Sequence, residues 1–227
     1  MTLKLGIVMD PIEHIKIAKD SSFAMMLAAQ RRGWELHYMN QRHLYSDGGS
    51  TRAVTRLLQV QDNPDTWYHV IAKQDIALSE LDAVLMRKDP PFDIEYITTT
   101  WLLDSAERKG TLVVNTPASL RDANEKLFIT CFPQCCVPML VSCDPERMRK
   151  FVSQHRDVIL KPLDSMGGHS IFRVQPDSQN LSVILELMTN GGRKTIMAQR
   201  FIPEITLGDK RILLIDGDPV PYALARV

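Results

Sequence analysis

A chain of 227 residues with 44% hydrophobic content can bury a sizeable core and form one or two domains. Lys plus Arg equals Asp plus Glu at 27 each, so the formal net charge is zero, which excludes a basic nucleic-acid platform and a polybasic membrane anchor. No apolar run is long enough to span a bilayer, and the N-terminus enters a strand with no signal-peptide layout, so cytoplasmic residence is expected. Residues 5–9 read as a buried strand that Asp10-Pro11 ends at a turn. Ser21 or Ser22 is expected to cap a helix running to about residue 32, with Phe23, Met26, Leu27 and Gln30 at helical spacing. Residues 34–39 then alternate apolar and polar side chains as a second strand. Strand, helix and strand make a βαβ unit, whose default is a parallel sheet with a right-handed crossover. Asp20-Ser21-Ser22 falls at the carboxyl end of the first strand, the edge where open α/β sheets bind ligands. It can hold a small anion or amine, or it can simply cap the helix. This loop has no G-x-G-x-x-G, so a dinucleotide-type pyrophosphate site is not expected.

Gly48-Gly49 marks a turn into a strand or edge ribbon over 51–60, and Asn63-Pro64-Asp65 is expected to open a short helix. Residues 81–86 form a third parallel strand that runs into Arg87-Lys88-Asp89-Pro90-Pro91-Phe92-Asp93. A loop needed only for solubility has no use for two prolines fixing it. Arg87 reads as a carboxylate clamp, since guanidinium binds carboxylate through two parallel bonds; a salt-bridged surface turn is the alternative. A helix over 94–109 places Ile97, Trp101, Leu102 and Ala106 inward, Gly110 ends it, and 111–115 is a fourth strand. The first domain is thus expected to have four strands and to end near residue 123.

Residues 122–126 are expected to start another helix, capped by Asn124. Lys126 falls in its first turn, where the helix dipole disfavours a cation, and this hints at an anionic partner. Cys131, Cys135, Cys136 and Cys143 show neither paired C-x-x-C spacing nor an accompanying histidine cluster, so four free thiols are expected rather than a zinc site. A strand over 139–141 precedes a helix over 145–154 with Asp144 as cap and Pro145 at its first position. Over 158–174, two β-branched runs flank an enlarged, glycine-bearing turn, a hairpin signature. Lys161 ends the first arm, and Gly167 and Gly168 can turn their N–H groups toward one point. A cation facing free amides is what a polyphosphate needs, although an ordinary solvated loop would carry similar residues. A helix over 181–188, a strand over 195–202, and a last strand pair turning at Asp216-Gly217-Asp218-Pro219 complete the chain, with Asp209-Lys210-Arg211 just before the strand at 212–215.

The ordered set of Asn-Glu-Lys at 124–126, Leu-Lys-Pro at 160–162, Met-Gly-Gly at 166–168, Ala-Gln-Arg-Phe at 198–201, Asp-Lys-Arg at 209–211 and Asp-Gly-Asp-Pro at 216–219 resembles the ATP-grasp ligases. Lys-Leu-Gly-Ile-Val-Met-Asp-Pro at 4–11, Lys-Asp-Ser-Ser-Phe-Ala-Met at 19–25 and Leu-Met-Arg-Lys-Asp-Pro-Pro-Phe-Asp at 85–93 narrow the likeness to the bacterial glutathione synthetases, over essentially the whole chain. The resemblance implies an α/β protein: an N-terminal parallel-sheet, Rossmann-like domain over 1–123, then an ATP-grasp fold, with its lid over 124–203 and the start of its C-terminal subdomain over 204–227. The family runs on for roughly another third of this length, well within domain sizes, and that remainder is expected to carry the ligands of Mg²⁺ (or Mn²⁺), so no metal ligand is assigned here. The residues 131–136 depart from the family, which generally continues a helix into a turn there.

The activity implied is ATP-dependent joining of γ-glutamylcysteine to glycine through an acyl phosphate. By resemblance Lys126 and Lys161 hold the α- and β-phosphates, Gly167 and Gly168 cover them, and Arg211 is the catalytic residue facing the γ-phosphate. Gln199, Arg200, Phe201 and Ile202 take the adenine, Asp209 the sugar, and Arg87, Asp20, Ser21 and Ser22 the peptide. A homotetramer is also implied. Another ATP-grasp carboxylate–amine ligase and a nucleotide-binding module without turnover are the rival readings.

Overall fold

A computed structural model describes residues 2–226, which divide into two compact units. The first comprises the chain to Phe128 together with Asp164–Gly167; the second comprises Ile129–Leu163 and the chain from Gly168 onward.

The first unit is built on strands β1 (Lys4–Val8), β2 (Glu35–Met39), β3 (Leu44–Asp47), β4 (Ser50–Val60), β5 (Tyr68–Ala77), β6 (Ala83–Met86) and β7 (Leu112–Val114). They form one sheet in the order β3-β4-β2-β1-β6-β7, and β5 pairs with β4 along its other edge. The pairs β1–β2, β1–β6 and β6–β7 are parallel, as the βαβ reading requires, whereas β4 is antiparallel to β2, β3 and β5. The four expected parallel strands are present and the strand expected over 51–60 is β4; β3 and β5, which were not expected, join it in extending the sheet with antiparallel pairs. Asn63-Pro64-Asp65 opens no helix; it forms a turn that leads into the ten-residue strand β5.

Helix α1 (Ser21–Arg31) packs on one face and α2 (Ile94–Glu107) on the other. Both central strands therefore bury side chains on both sides: Leu5, Ile7 and Met9 meet Phe23 and Met26 of α1, while Val8 meets Leu103 and Ala106 of α2. Each fully buried aliphatic side chain contributes about 1.5–3 kcal/mol by leaving water. Gly6 lies on the α2 side, where a Cβ would meet Leu81 Cδ1 at 2.8 Å, so the residue is small because the space is taken. Asp20, rather than Ser21 or Ser22, caps α1, accepting from the Phe23 N–H at 2.8 Å. Gln30 is not an apolar-face residue: its carboxamide donates to the Val60 carbonyl and accepts from the Val60 N–H, each at 2.7 Å, and so replaces a strand neighbour at the end of β4. The inward face of α2 is Tyr96, Thr99, Thr100, Leu103 and Ala106, while Trp101, expected inside, is 53% exposed. The threonines tolerate burial because their hydroxyls donate to carbonyls one turn back, as Thr99 does to Glu95 at 2.9 Å. Helix α3 (Pro117–Asp122) follows β7. The helix expected from residue 122 is absent; 127–131 is a 3-10 turn, and Asn124 Oδ1 accepts from the N–H groups of Lys126 and Leu127 ahead of it.

In the second unit, β8 (Met139–Ser142), β9 (Val158–Pro162), β10 (Phe172–Val174) and β11 (Ile196–Arg200) form an antiparallel sheet in the order β10-β9-β11-β8. Helices α4 (Pro145–His155) and α5 (Leu181–Thr189) cover one face, where Met148, Phe151, Val152 and Leu185 pack on Val158, Leu160, Val174, Ile196 and Ala198. Asp144 caps α4 through the Glu146 N–H at 2.9 Å, with Pro145 in the first turn. Strands β12 (Asp209–Ile215) and β13 (Asp218–Arg226) form a separate two-stranded ribbon. Asp209, Lys210 and Arg211 thus lie inside β12 rather than before it. Asp216 and Gly217 turn the ribbon with φ of 53° and 87°, the mirror-image turn favoured in hairpins.

Candidate active site

In the first unit the chemistry gathers at the carboxyl ends of β1 and β6. These strands are adjacent and parallel, so Asp10 after β1 and Arg87 after β6 emerge at one edge. The Arg87 N–H donates to the Val8 carbonyl at 2.7 Å, which fixes where its side chain leaves the sheet. Its guanidinium reaches the start of α1, where Nε donates to Ser22 Oγ at 3.1 Å and Nη2 to Ser21 Oγ at 2.7 Å. Each hydroxyl that accepts from arginine keeps its own hydrogen to donate. Arg87, Ser21 and Ser22 can therefore offer several donors to one point, the complement of a carboxylate. Asp20 is next in sequence, but its carboxylate is engaged by the helix cap.

On the opposite side of the same edge is an arrangement the sequence reading did not assign. Lys88 Nζ pairs with Asp10 Oδ1 at 2.9 Å, and Asp10 Oδ2 accepts from the Asp89 N–H at 3.0 Å. Burial, and then the neighbouring Asp10 carboxylate, push the Asp89 carboxyl above its ordinary range. A cavity of about 510 Å³ opens here, lined by Met9, Asp10, Asn40, Lys88, Glu95 and Leu102 among others. The legible signal was Lys88 itself, which alternation along the chain aims opposite to Arg87.

Also within the first unit, the Lys126 ammonium pairs with Glu125 Oε1 at 2.7 Å and donates to the Ser165 carbonyl. Gly167 has φ of 67°, in the left-handed region its amide-cradle reading requires, and Gly168, the first residue of the next stretch of the second unit, has φ of 80°.

In the second unit, register decides which side chains share the face that α4 and α5 leave uncovered. Lys161 lies opposite Met197, Ile159 opposite Gln199, and Arg173 of β10 opposite Ile159. Directly opposed residues point to the same side, so Lys161, Gln199 and Arg173 stand together on that face. The Phe201 N–H donates to the Asp157 carbonyl at 2.9 Å, extending the β11–β9 ladder by one step and adding Phe201 and Asp157 to the set. Arg173 grips Asp157 through two parallel bonds, Nε to Oδ1 at 2.8 Å and Nη2 to Oδ2 at 2.6 Å, and its guanidinium lies 3.7 Å from the Phe201 ring centre. Those bonds hold the Asp157 carboxyl below the usual carboxylate range. From Asp157 to Lys161 is four strand residues, about 13 Å at the usual rise, the reach of an extended nucleoside triphosphate. Arg200 falls on the helix-covered side of the register but is exposed at the strand end, and Ile202 continues the extended chain beyond it.

Asp209 and Arg211 lie two residues apart on β12. Arg226 of β13 donates from Nε to Asp209 Oδ1 at 2.7 Å and holds that carboxyl below its ordinary range, with Arg211 adding to the effect. Cys131, Cys135, Cys136 and Cys143 are free thiols. Among the described residues, no group of three or more His, Cys, Asp or Glu is placed to hold a metal ion, and no helix is long and apolar enough to cross a membrane.

Comparison with known proteins gives this geometry a context. Residues 3–121 match the family described as prokaryotic glutathione synthetase, N-terminal domain, and residues 125–227 match prokaryotic glutathione synthetase, ATP-grasp domain. The chain is 57% identical to the glutathione synthetase of Vibrio vulnificus (strain YJ016), over all of this chain and 71% of that protein. It is likewise 57% identical to the glutathione synthetase of Pseudomonas aeruginosa, over all of this chain and 72% of that protein. Among solved structures, D-cycloserine synthetase DcsG is similar with a TM-score of 0.65 at 15% identity, over 97% of this chain and 66% of that one. D-alanyl-alanine synthetase A from Vibrio cholerae is similar at 0.61 and 10% identity, over 100% and 69%. These likenesses show the overall fold, and the family match over residues 125–227 identifies its second part as an ATP-grasp domain. Matched by both family profiles from one end to the other and by full-length synthetases at more than half its positions, the chain belongs to the prokaryotic glutathione synthetases.

Proposed function

We propose that this chain carries out glutathione synthesis, joining γ-glutamyl-L-cysteine to glycine with conversion of ATP to ADP and phosphate. An oxygen of the dipeptide carboxylate attacks the γ-phosphorus, the bond to the β-phosphate bridging oxygen breaks, and ADP leaves. The glycine amine then attacks the carbonyl carbon of the acyl phosphate, loses a proton, and expels inorganic phosphate. Such transfers depend chiefly on positioning and on neutralising charge.

Each residue then has a task. Arg87 with Ser21 and Ser22 binds a peptide carboxylate through donors, and Asp20 fixes the helix that carries both serines. The face bearing Lys161 and Gln199 takes the nucleotide, with Arg200, Phe201 and Ile202 bounding the adenine and Lys161 on the phosphates. Lys126, Gly167 and Gly168 are assigned to the phosphates as well, Asp209 to the sugar, and Arg211 to the charge that develops on the transferring group. The family likeness implies Mg²⁺, with Mn²⁺ as substitute, but no cluster of acidic groups among the described residues is placed to hold it. We further assign domain limits of 1–123, 124–203 and 204–227, cytoplasmic residence, and a homotetramer whose mass light scattering would read.

The 57% identity to glutathione synthetases along the whole chain carries this reading. ADP release measured with γ-glutamylcysteine and glycine together tests it. Release that needs both substrates supports the ligase; ATP binding without any release favours the module without turnover.

A further inference from the structure

We infer that Arg173 is a positioning residue for the nucleotide, acting through Phe201. The inference rests on the nucleotide reading of this sheet face. Three elements meet at Arg173: β10 carries it, Asp157 lies at the entrance of β9, and Phe201 lies just beyond β11. The guanidinium is held in plane by two bonds to Asp157, so its flat face has one orientation, and that face lies on the Phe201 ring. One side of the ring is therefore occupied by protein and closed to a base. The Phe201 N–H is tied to the Asp157 carbonyl. In extended backbone successive N–H groups alternate, so the N–H of Ile202 is directed away from β9, free of that ladder. The Arg200 N–H donates to the Pro138 carbonyl at 3.0 Å, so Arg173 and Asp157 fix the residue between that tied amide and Ile202, whose N–H is the backbone donor a purine would read. None of the sequence segments that carry the family resemblance includes Arg173, because an exposed arginine in a short strand reads as ordinary surface.

Two rival roles are separable. As a plain strand-pairing residue, Arg173 would affect stability alone. As a direct electrostatic attractor of phosphate, its effect would be opposed by Asp157, and removing that carboxylate would tighten ATP binding. As a positioning device, loss of either partner frees the ring and weakens binding.

The experiment is calorimetric titration of the full chain with ATP, in wild type and in Arg173→Ala, Arg173→Lys, Asp157→Asn and Lys161→Met variants, with melting curves for each. Arg173→Ala is expected to raise the ATP Kd about two- to fivefold, the effect an exposed cation–π contact implies. Asp157→Asn is expected to raise it in the same direction, and Arg173→Lys, which keeps a cation over the ring, to restore part of the loss. Unchanged affinity in Arg173→Ala, or tighter binding in Asp157→Asn, overturns the inference while a weakened Lys161→Met leaves the nucleotide site standing. No ATP binding by wild type, or none of the variants altering it, overturns both.

Discussion

Tyr38→Phe removes one oxygen from the centre of the first unit and leaves the ring's packing intact. The hydroxyl is fully buried, accepts from the Ile12 N–H at 3.1 Å and from Asn40 Nδ2 at 2.6 Å, and lies 3.4 Å from the Asp10 carbonyl. Without it, one N–H of Ile12 and one of Asn40 are stranded, and neither residue is exposed enough to find water. Each stranded buried donor costs about 1–3 kcal/mol, so with two of them the variant is expected to lose about 2–6 kcal/mol, a large share of a domain's usual 5–15 kcal/mol. All three tryptophans, Trp34, Trp67 and Trp101, belong to the first unit, and Trp67 donates to the Ile12 carbonyl at 2.9 Å in the same loop. Tryptophan fluorescence during urea unfolding therefore reports this unit alone. The midpoint should fall while the slope holds. A loss below about 0.5 kcal/mol, the usual scatter of neutral substitutions, would refute the idea that this hydroxyl is the joint of the loop leading to Asp10.

The same fluorescence signal should show an acid sensitivity set by His37. Burial lowers the pKa of this 2%-exposed imidazole below its ordinary 6.5, against the opposing pull of Glu35, and burial also lowers His43. The unfolded chain then binds protons more readily, so stability is intact above about pH 6.5 and falls as pH drops through that value; His37→Gln should flatten the fall between pH 7 and 5, and an unchanged profile would exclude the histidine. Arg87→Lys keeps charge but loses the two-pronged geometry on Ser21 and Ser22, so the KM for γ-glutamylcysteine should rise about tenfold or more while ATP affinity holds. Lys161→Met should weaken ATP binding about tenfold or more, as loss of a charge-assisted bond does, with stability within about 0.5 kcal/mol; a large fall in melting temperature would make it a structural lysine.

Legibility followed how local each signal was. The Arg87 cluster was readable because the βαβ pattern predicts parallel neighbours, and parallel neighbours bring the residues after β1 and β6 to one edge. Lys161 stood out because a cation closes a β-branched run next to a glycine loop, and Gly167 and Gly168 because a tight turn needs their φ. Strand β5 was hidden behind Asn63-Pro64-Asp65, which forms a turn as readily as a helix start, and its outer-edge side chains alternate only weakly in burial. On the inward face of α2, Ala106 and Leu102 pack on the core as expected, but Trp101 was misread because it outweighs threonine on any hydrophobic scale, whereas the fold buries threonines that bond to their own helix. Asp20 rather than Ser21 or Ser22 holds the cap through the Phe23 N–H, which leaves both serines for Arg87. The Arg173–Asp157–Phe201 cluster joins three distant segments, and only strand register puts them side by side.

The ribbon of β12 and β13 has a consequence for how the molecule behaves in time. Ile212, Leu213, Leu214 and Ile215 are each 59–63% exposed, on both of its faces, so neither side is a dry interior. Two strands alone are marginally stable in water, and their pairing can open without disturbing α4, α5 or the sheet beneath them. In deuterated solvent, the amides of 209–215 and 218–226 should label early and together, while those of β9 and β11 wait for the whole unit to unfold. Two clocks would then run in one unit, and the faster belongs to the segment that carries Arg211.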